Sequence, residues 1–164
     1  MPSISDFKGS FTSLARPTLF RVDGFGAGRE LEFLCKAASV PETTLGMIEV
    51  PFQGRKIKIP GDRTFADWSI TVINDDKFIL RNYFEDWVER IGGAADTFGD
   101  NNSVEAIKED GQVSQLGIDG SIIATWNLVG AFPISVAANE FDAETTDTFS
   151  ECAVTLAFDY FERI

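Results

Sequence analysis

GRKIKIPGDRTFADWSITVINDDKFILRNYFEDWVERI, residues 54–91, carries two periods in succession. In its first part Ile57 and Ile59 alternate with Lys56 and Lys58, and Trp68, Ile70 and Val72 alternate with Asp67, Ser69 and Thr71. That period of two predicts two strands with one dry face each, joined by turn chemistry at Pro60-Gly61-Asp62. From Lys77 the period lengthens to 3.6, with Leu80, Phe84, Trp87, Val88 and Ile91 on one stripe and Arg81, Glu85, Asp86 and Glu89 facing away. The spacing predicts one amphipathic helix over about residues 76–91, capped by Asp75 or Asp76 and stopped by Gly92-Gly93.

Outward from this unit the chain reads as β hairpins. Residues 1–15 carry few periodic signals and form an N-terminal arm. RPTLFRV (16–22) begins a strand, Gly24, Gly26 and Gly28 make a turn, and residues 30–37 alternate Leu31, Phe33 and Cys35 with Glu30, Glu32 and Lys36, a second strand. GFGAGR links two strands and opens no helix, so it is not a phosphate-binding loop. PETTLGMIEVPFQG (41–54) reads as a hydrophobic loop bearing Leu45, Met47, Ile48, Val50 and Phe52, which either folds back on its own core or packs on another subunit. Residues 92–111 are polar and glycine-rich, a variable loop. Strands at 112–118 and 121–132 follow, joined at Asp119-Gly120, with Pro133 ending that pairing. The last strand, 149–161, sets Cys152, Val154, Leu156, Phe158 and Tyr160 against Glu151, Ala153, Thr155, Ala157 and Asp159.

The bulk numbers bound the rest. At 164 residues the chain is one domain, and a hydrophobic fraction of 44% with 15 Phe and 3 Trp argues for a packed core. Its first residues lack the pattern of a signal peptide, so we expect it to be kept in a cytosol. No histidine occurs, which removes His-based triads and His-ligated metal together. Cys35 and Cys152 lie in apolar strand-like runs and read as buried small hydrophobes, with a disulfide as the alternative. Acids outnumber bases 26 to 14, a net charge of −12 that serves solubility or function and repels phosphate backbones. Neighbouring carboxylates such as Glu140 with Asp142 and Glu109 with Asp110 are expected by chance at this density, and no calcium-loop pattern is present. Neither a catalytic residue, a metal ligand nor a cofactor is expected.

RPTLFRV, ELEFLCKAASVP, GRKIKIPGDRTFADWSITVINDD with its helix, LVGAFPISV and VTLAFDYFE, in this order and spacing, resemble the tail tube proteins of contractile-tailed bacteriophages. The resemblance spans residues 16–162; Phe132 stands where the family often has Trp. It implies a mainly β subunit, an antiparallel β-barrel or sandwich with one packed helix, six of which form a ring. The rings stack into a hollow tube that conducts DNA, surrounded by a sheath and joined to baseplate, terminator and tape-measure proteins. Such a subunit belongs to the virion tail and is assembled in the host bacterial cytoplasm. The 41–54 loop and the arm are then candidates for contacts between rings. Small and acidic faces are candidates for the lumen: Ser69, Thr71, Ala153, Thr155 and Ala157, with Asp67, Glu151 and Asp159 nearer its rims; alternatively these faces meet water or another sheet. The tube of a contractile injection system or of type VI secretion is the alternative within this class, and a monomeric β-barrel ligand carrier is the alternative outside it.

Overall fold

The computed structural model describes residues 3–11, 14–95 and 103–164. A short helix α1 (Ile4–Gly9), boxed at its start by Ser3 and Asp6, lies within the expected arm. Then come β1 (Phe20–Gly24), α2 (Glu30–Leu34), β2 (Cys35–Ala38), β3 (Thr43–Phe52), β4 (Arg55–Phe65), β5 (Trp68–Ile73) and α3 (Ile79–Ile91). The chain ends with α4 (Val104–Ile107), β6 (Glu109–Leu116), β7 (Ile122–Val136), β8 (Glu151–Ala157) and β9 (Tyr160–Arg163). Seven strands form one antiparallel sheet in the order β1-β6-β7-β8-β5-β2, with β9 added to β7, while β3 and β4 form a separate two-stranded sheet. The large sheet curls around its core without closing into a barrel, since β1 and β2 remain its two edges.

The curl comes from β7. Its first half pairs with β6 and β9 and its second half with β8, so one strand serves both walls of the fold. Pro133 does not end β7 as expected. It sits at a register shift in the pairing with β8, where a residue without an N–H is tolerated. The expected last strand likewise breaks in two. β8 ends at Ala157, and β9 turns back onto the other half of β7, which leaves Tyr160 exposed.

α3 closes the concave side. Leu80, Phe84 and Trp87 are fully buried, Val88 is exposed and Ile91 half-buried. The helix starts at Ile79 and not near 76: neither Asp75 nor Asp76 is its N-cap, which is Phe78 at a left-handed φ of 53°, although the Asp75 carboxylate further upstream accepts from the Ile79 N–H at 3.0 Å. Arg81 does not face away: it is half-buried and donates to the Ala137 carbonyl and to Asn139 Oδ1, both at 2.9 Å. Leu80, Phe84 and Trp87 share one buried cluster with Val22, Trp68, Ile70, Val72, Leu128, Val154 and Leu156 of the sheet.

Two further expectations change. Residues 30–34 form one helical turn rather than strand, because five residues satisfy both periods; Leu31 is buried and Leu34 packs beside it while Phe33 points out. The glycines of GFGAGR serve a buried aromatic. Phe25 adopts a left-handed φ of 54° between Gly24 and Gly26, and its N–H donates to the Asp110 carbonyl at 2.8 Å. Its ring stacks on Trp68 at 5.7 Å and occupies the space a side chain on Gly111 would need. Of the expected variable loop at 92–111, residues 104–107 are helical and β6 begins at Glu109; the rest includes residues outside those described.

Removing Trp87 tests where the core lies. Its indole N–H donates to the Ile107 carbonyl at 2.7 Å and its ring is buried against Phe84. Trp87→Ala is expected to cost about 3–5 kcal/mol in urea unfolding, whereas Ile59→Ser on β4 is expected to change monomer stability by less than about 0.5 kcal/mol. Equal costs would show that β4 belongs to the core.

Candidate functional site

Residues 41–54 are not a loop. Most of them form β3, which pairs with β4 through nine residue pairs from Thr43↔Phe65 to Phe52↔Arg55. The expected turn at Pro60-Gly61-Asp62 lies inside β4, where the register shifts opposite Gly46. The hairpin instead turns at Gln53-Gly54, both at positive φ (45° and 77°), the signature of a two-residue type I′ turn.

The register sorts the hairpin into two faces. Ile48 pairs with Ile59 and Val50 with Ile57, so with Phe52 these side chains form one apolar face. Glu49 pairs with Lys58 and Pro51 with Lys56 on the other, where Lys56 Nζ meets Glu49 Oε2 at 2.7 Å. Neither face is covered: exposures on the apolar face run from 41% at Val50 to 60% at Phe52, and Leu45 and Met47 on the other are 60% and 56% exposed. Ile57 and Ile59, expected to be dry, are 52% and 45% exposed. An isolated two-stranded hairpin is marginal in water, and its outer strand edges invite pairing. The candidate contact residues therefore lie together on an apolar protrusion anchored at its base by Phe65, whose ring packs against Phe158 and Phe161.

The candidate lumen residues divide differently. On the face of β5 and β8 away from the core, Ser69 pairs with Thr155, their hydroxyls 3.2 Å apart, and Thr71 pairs with Ala153. Ala37 on β2 pairs with Thr71, and Ser135 on β7 with Thr155, extending the same row across four strands. These two residues were missed from sequence because β2 was misplaced and β7 was cut at Pro133. Ala157 is half-buried at the end of β8, opposite Phe132. Glu151 forms an ion pair with Lys36 at the opposite end of the ladder, and Asp67 is exposed just before β5. Asp159 leaves this face at the break between β8 and β9; its carboxylate holds Lys108 Nζ at 2.7 and 2.8 Å.

The polar groups packed between α3, the Phe25 turn and β6 have structural partners, whereas the buried Asn74 Oδ1 has none. The single Tyr83 O–H proton is shared between the Phe25 carbonyl and Glu109 Oε2, the latter at 2.6 Å, and Arg90 meets Glu109 Oε1 at 3.1 Å, tying α3 to the Phe25 turn and to β6. Burial, reinforced by Glu109, pushes the Tyr83 hydroxyl well above the ordinary tyrosine range. Cys35 and Cys152 both align with Val72 in the ladder, on strands either side of β5. They are therefore about 9.6 Å apart, two strand spacings, too far for a disulfide, and both are free thiols. Among the described residues no group of three or more His, Cys, Asp or Glu is placed to hold a metal ion, and no helix is long and apolar enough to cross a membrane.

Burial pushes the Cys35 thiol up to about 11, so at pH 8 it holds about a hundredfold less thiolate than an ordinary cysteine. Cys152 is raised by the same cause. Only Cys152 is fully buried, Cys35 being half-buried; both are expected to react slowly with a disulfide reagent at pH 8 until denaturant is added, and rapid labelling of Cys152 in the folded protein would contradict its burial.

Comparison with known proteins completes the description. Residues 7–163 match the family model described as phage tail tube protein. The chain is 33% identical over 162 residues to the tail tube protein of Enterobacteria phage T4, covering 97% of this chain and 99% of that one. It is 27% identical over 175 residues to the tail tube protein of Serratia phage KSP90, covering 100% and 97%. Its fold is similar to a chain in the sheath/tube terminator of the extracellular contractile injection system PVC, with a TM-score of 0.72 at 19% identity over 94% of this chain and 99% of that one. A chain of the PVC sheath–tube complex gives 0.67 at 23% identity, covering 99% of each. The uncovered hairpin, the two-faced sheet and the match along nearly the whole sequence agree, and the chain belongs to the phage tail tube protein family, a family of structural tail components and not of enzymes.

Proposed function

We propose that six copies of this chain close into a ring and that the rings stack into the inner tube of a contractile phage tail, a conduit for DNA. The observation that carries this reading is the hairpin of β3 and β4, whose apolar face the subunit leaves uncovered. Five of its side chains, each about half exposed, gain roughly 1 kcal/mol apiece when covered, or about 5 kcal/mol per copy. That lies at the low end of the roughly 4–15 kcal/mol cost of associating two bodies. Six hairpins seated together share one such cost, so growth by whole rings is favoured where pairing of single subunits is not.

The row of Ala37, Ser69, Thr71, Ser135, Ala153 and Thr155 supports a lumen role for this face. It carries no base and no aromatic ring, so it offers passing DNA neither a phosphate partner nor a stacking platform. Glu151 and Asp67 then lie toward its ends, while Asp159 is withdrawn by Lys108. The opposite, outer side of the ring meets the sheath, and its ends meet baseplate and terminator. Relatives at 30% identity or more in phages T4 and T6 favour DNA as cargo over the protein cargo of an injection system. Assembly in the host cytoplasm follows from the same reading.

Sedimentation and negative-stain imaging across a range of concentrations are expected to show rings and hollow tubes; a monomer at every concentration would contradict the proposal. Thr44 and Thr64 are cross-strand partners, so residues 45–63 can be replaced by an Asn-Gly turn. We expect this variant to unfold at a temperature close to that of the parent and to form no tubes. Tubes from the truncated subunit would remove the hairpin from the account.

A further inference from the structure

The hairpin is basic as well as apolar. Residues 43–65 hold four of the chain's 14 Lys and Arg but only two of its 26 Asp and Glu, a local charge of +2 on a protein of −12. Lys56 is satisfied by Glu49, and Arg63 lies over the Phe65 ring. Arg55, on the apolar face beside the exposed Phe52 at the tip, and Lys58, on the opposite face, have no acid partner among the described residues. A surface that pairs apolar side chains with unspent positive charge fits an acidic surface bearing an exposed apolar group.

Such a surface lies at the other end of the same subunit. Residues 139–149, between β7 and β8, hold Glu140, Asp142, Glu144 and Asp147 and no base. In their midst Phe141 is 87% exposed. Arg81 fixes where this segment begins, through Ala137 and Asn139, and Asn74 holds its end, its N–H donating to the Ser150 carbonyl at 2.9 Å. The ladder between β5 and β8 sets the direction. β4 leads into β5 near Trp68↔Leu156, whereas residues 139–149 lead into β8 at Ile73↔Glu151. The two surfaces leave opposite ends of a six-residue ladder about 17 Å long. A subunit so built can join head to tail with copies of itself without its own hairpin reaching its own acidic segment.

Resting on the stacked-ring reading above, we infer that the hairpin of one copy docks on residues 139–149 of a copy in the next ring, with Phe141 against its apolar face, Arg55 beside it and Lys58 meeting the acids from the opposite face of the same thin hairpin. Complementary charge also sets polarity, because hairpin against hairpin and acidic segment against acidic segment both bring like charges together.

A charge exchange tests this. The parent, R55E/K58E, E140K/E144K and the chain carrying all four substitutions are compared by sedimentation and negative-stain imaging at one concentration. All four positions are exposed, and thermal midpoints within about 2 °C of one another are expected. The parent is expected to form tubes, each pair of substitutions to abolish them, and the four together to restore them. If E140K/E144K elongates like the parent while R55E/K58E does not, the hairpin seats elsewhere and this inference falls while stacked rings stand. Failure of the fourfold variant to recover would also overturn it, and a parent that never assembles overturns both readings.

Discussion

The ladder between β5 and β8 constrains everything around it. Its inner face commits Trp68, Ile70, Val72, Cys152, Val154 and Leu156 to the core. Side chains alternate in a strand, so this fixes the opposite face as Ser69, Thr71, Ala153 and Thr155, and a slip of one residue would exchange the two. α3 must lie on the core side, where Leu80, Phe84 and Trp87 complete the apolar contact. The other side is left broad and small, with Lys36 at its end paired to Glu151. The same ladder separates the two ends of the subunit, with the hairpin emerging at one and the acidic segment at the other. Core packing and, in the proposed tube, lumen chemistry and direction of stacking therefore descend from one register.

A second constraint is the imbalance between what the subunit buries and what it leaves out. The aromatic weight of the core is local: Phe25 on Trp68, Phe84 on Trp87, and Tyr83 beside both α3 aromatics. None of this reaches β3 and β4. The hairpin adds strand hydrogen bonds but little monomer stability, which suits an element whose free energy is realised on assembly. In the proposed docking, its positive charge on a strongly acidic chain would give assembly a direction, where an apolar surface alone would not discriminate among partners.

Much of this was legible in the sequence. The strict alternation of residues 68–72 and 152–156 and the 3.6 period of residues 80–91 placed the core strands and the helix, because each pattern runs long enough to exclude the other. The errors arose where the signal is short or where tertiary context decides. Residues 30–34 satisfy both periods, and burial of Leu31 with Leu34 decides for helix. Residues 43–52 looked like a loop because Pro51 and Gly46 are turn residues, yet Pro51 can sit in a two-stranded sheet that has only edges, and Gly46 lies at the register shift. Ile57 and Ile59 looked dry because alternation reports that a face is apolar and not what covers it. Ala37 and Ser135 joined the small-residue face only through pairing between distant strands, and Asp159 left it through a break that alternation cannot register.

In the proposed assembly the small-residue face of β5 and β8 lines a tube built by stacking through the hairpin. A cryo-EM reconstruction of the polymerised protein tests it most directly. We expect six subunits per ring, with Ser69, Thr71, Ala153 and Thr155 facing the lumen and the hairpin seated on an adjacent ring. A tube in which these residues face outward or are buried between subunits, with the hairpin left in solvent, would contradict it.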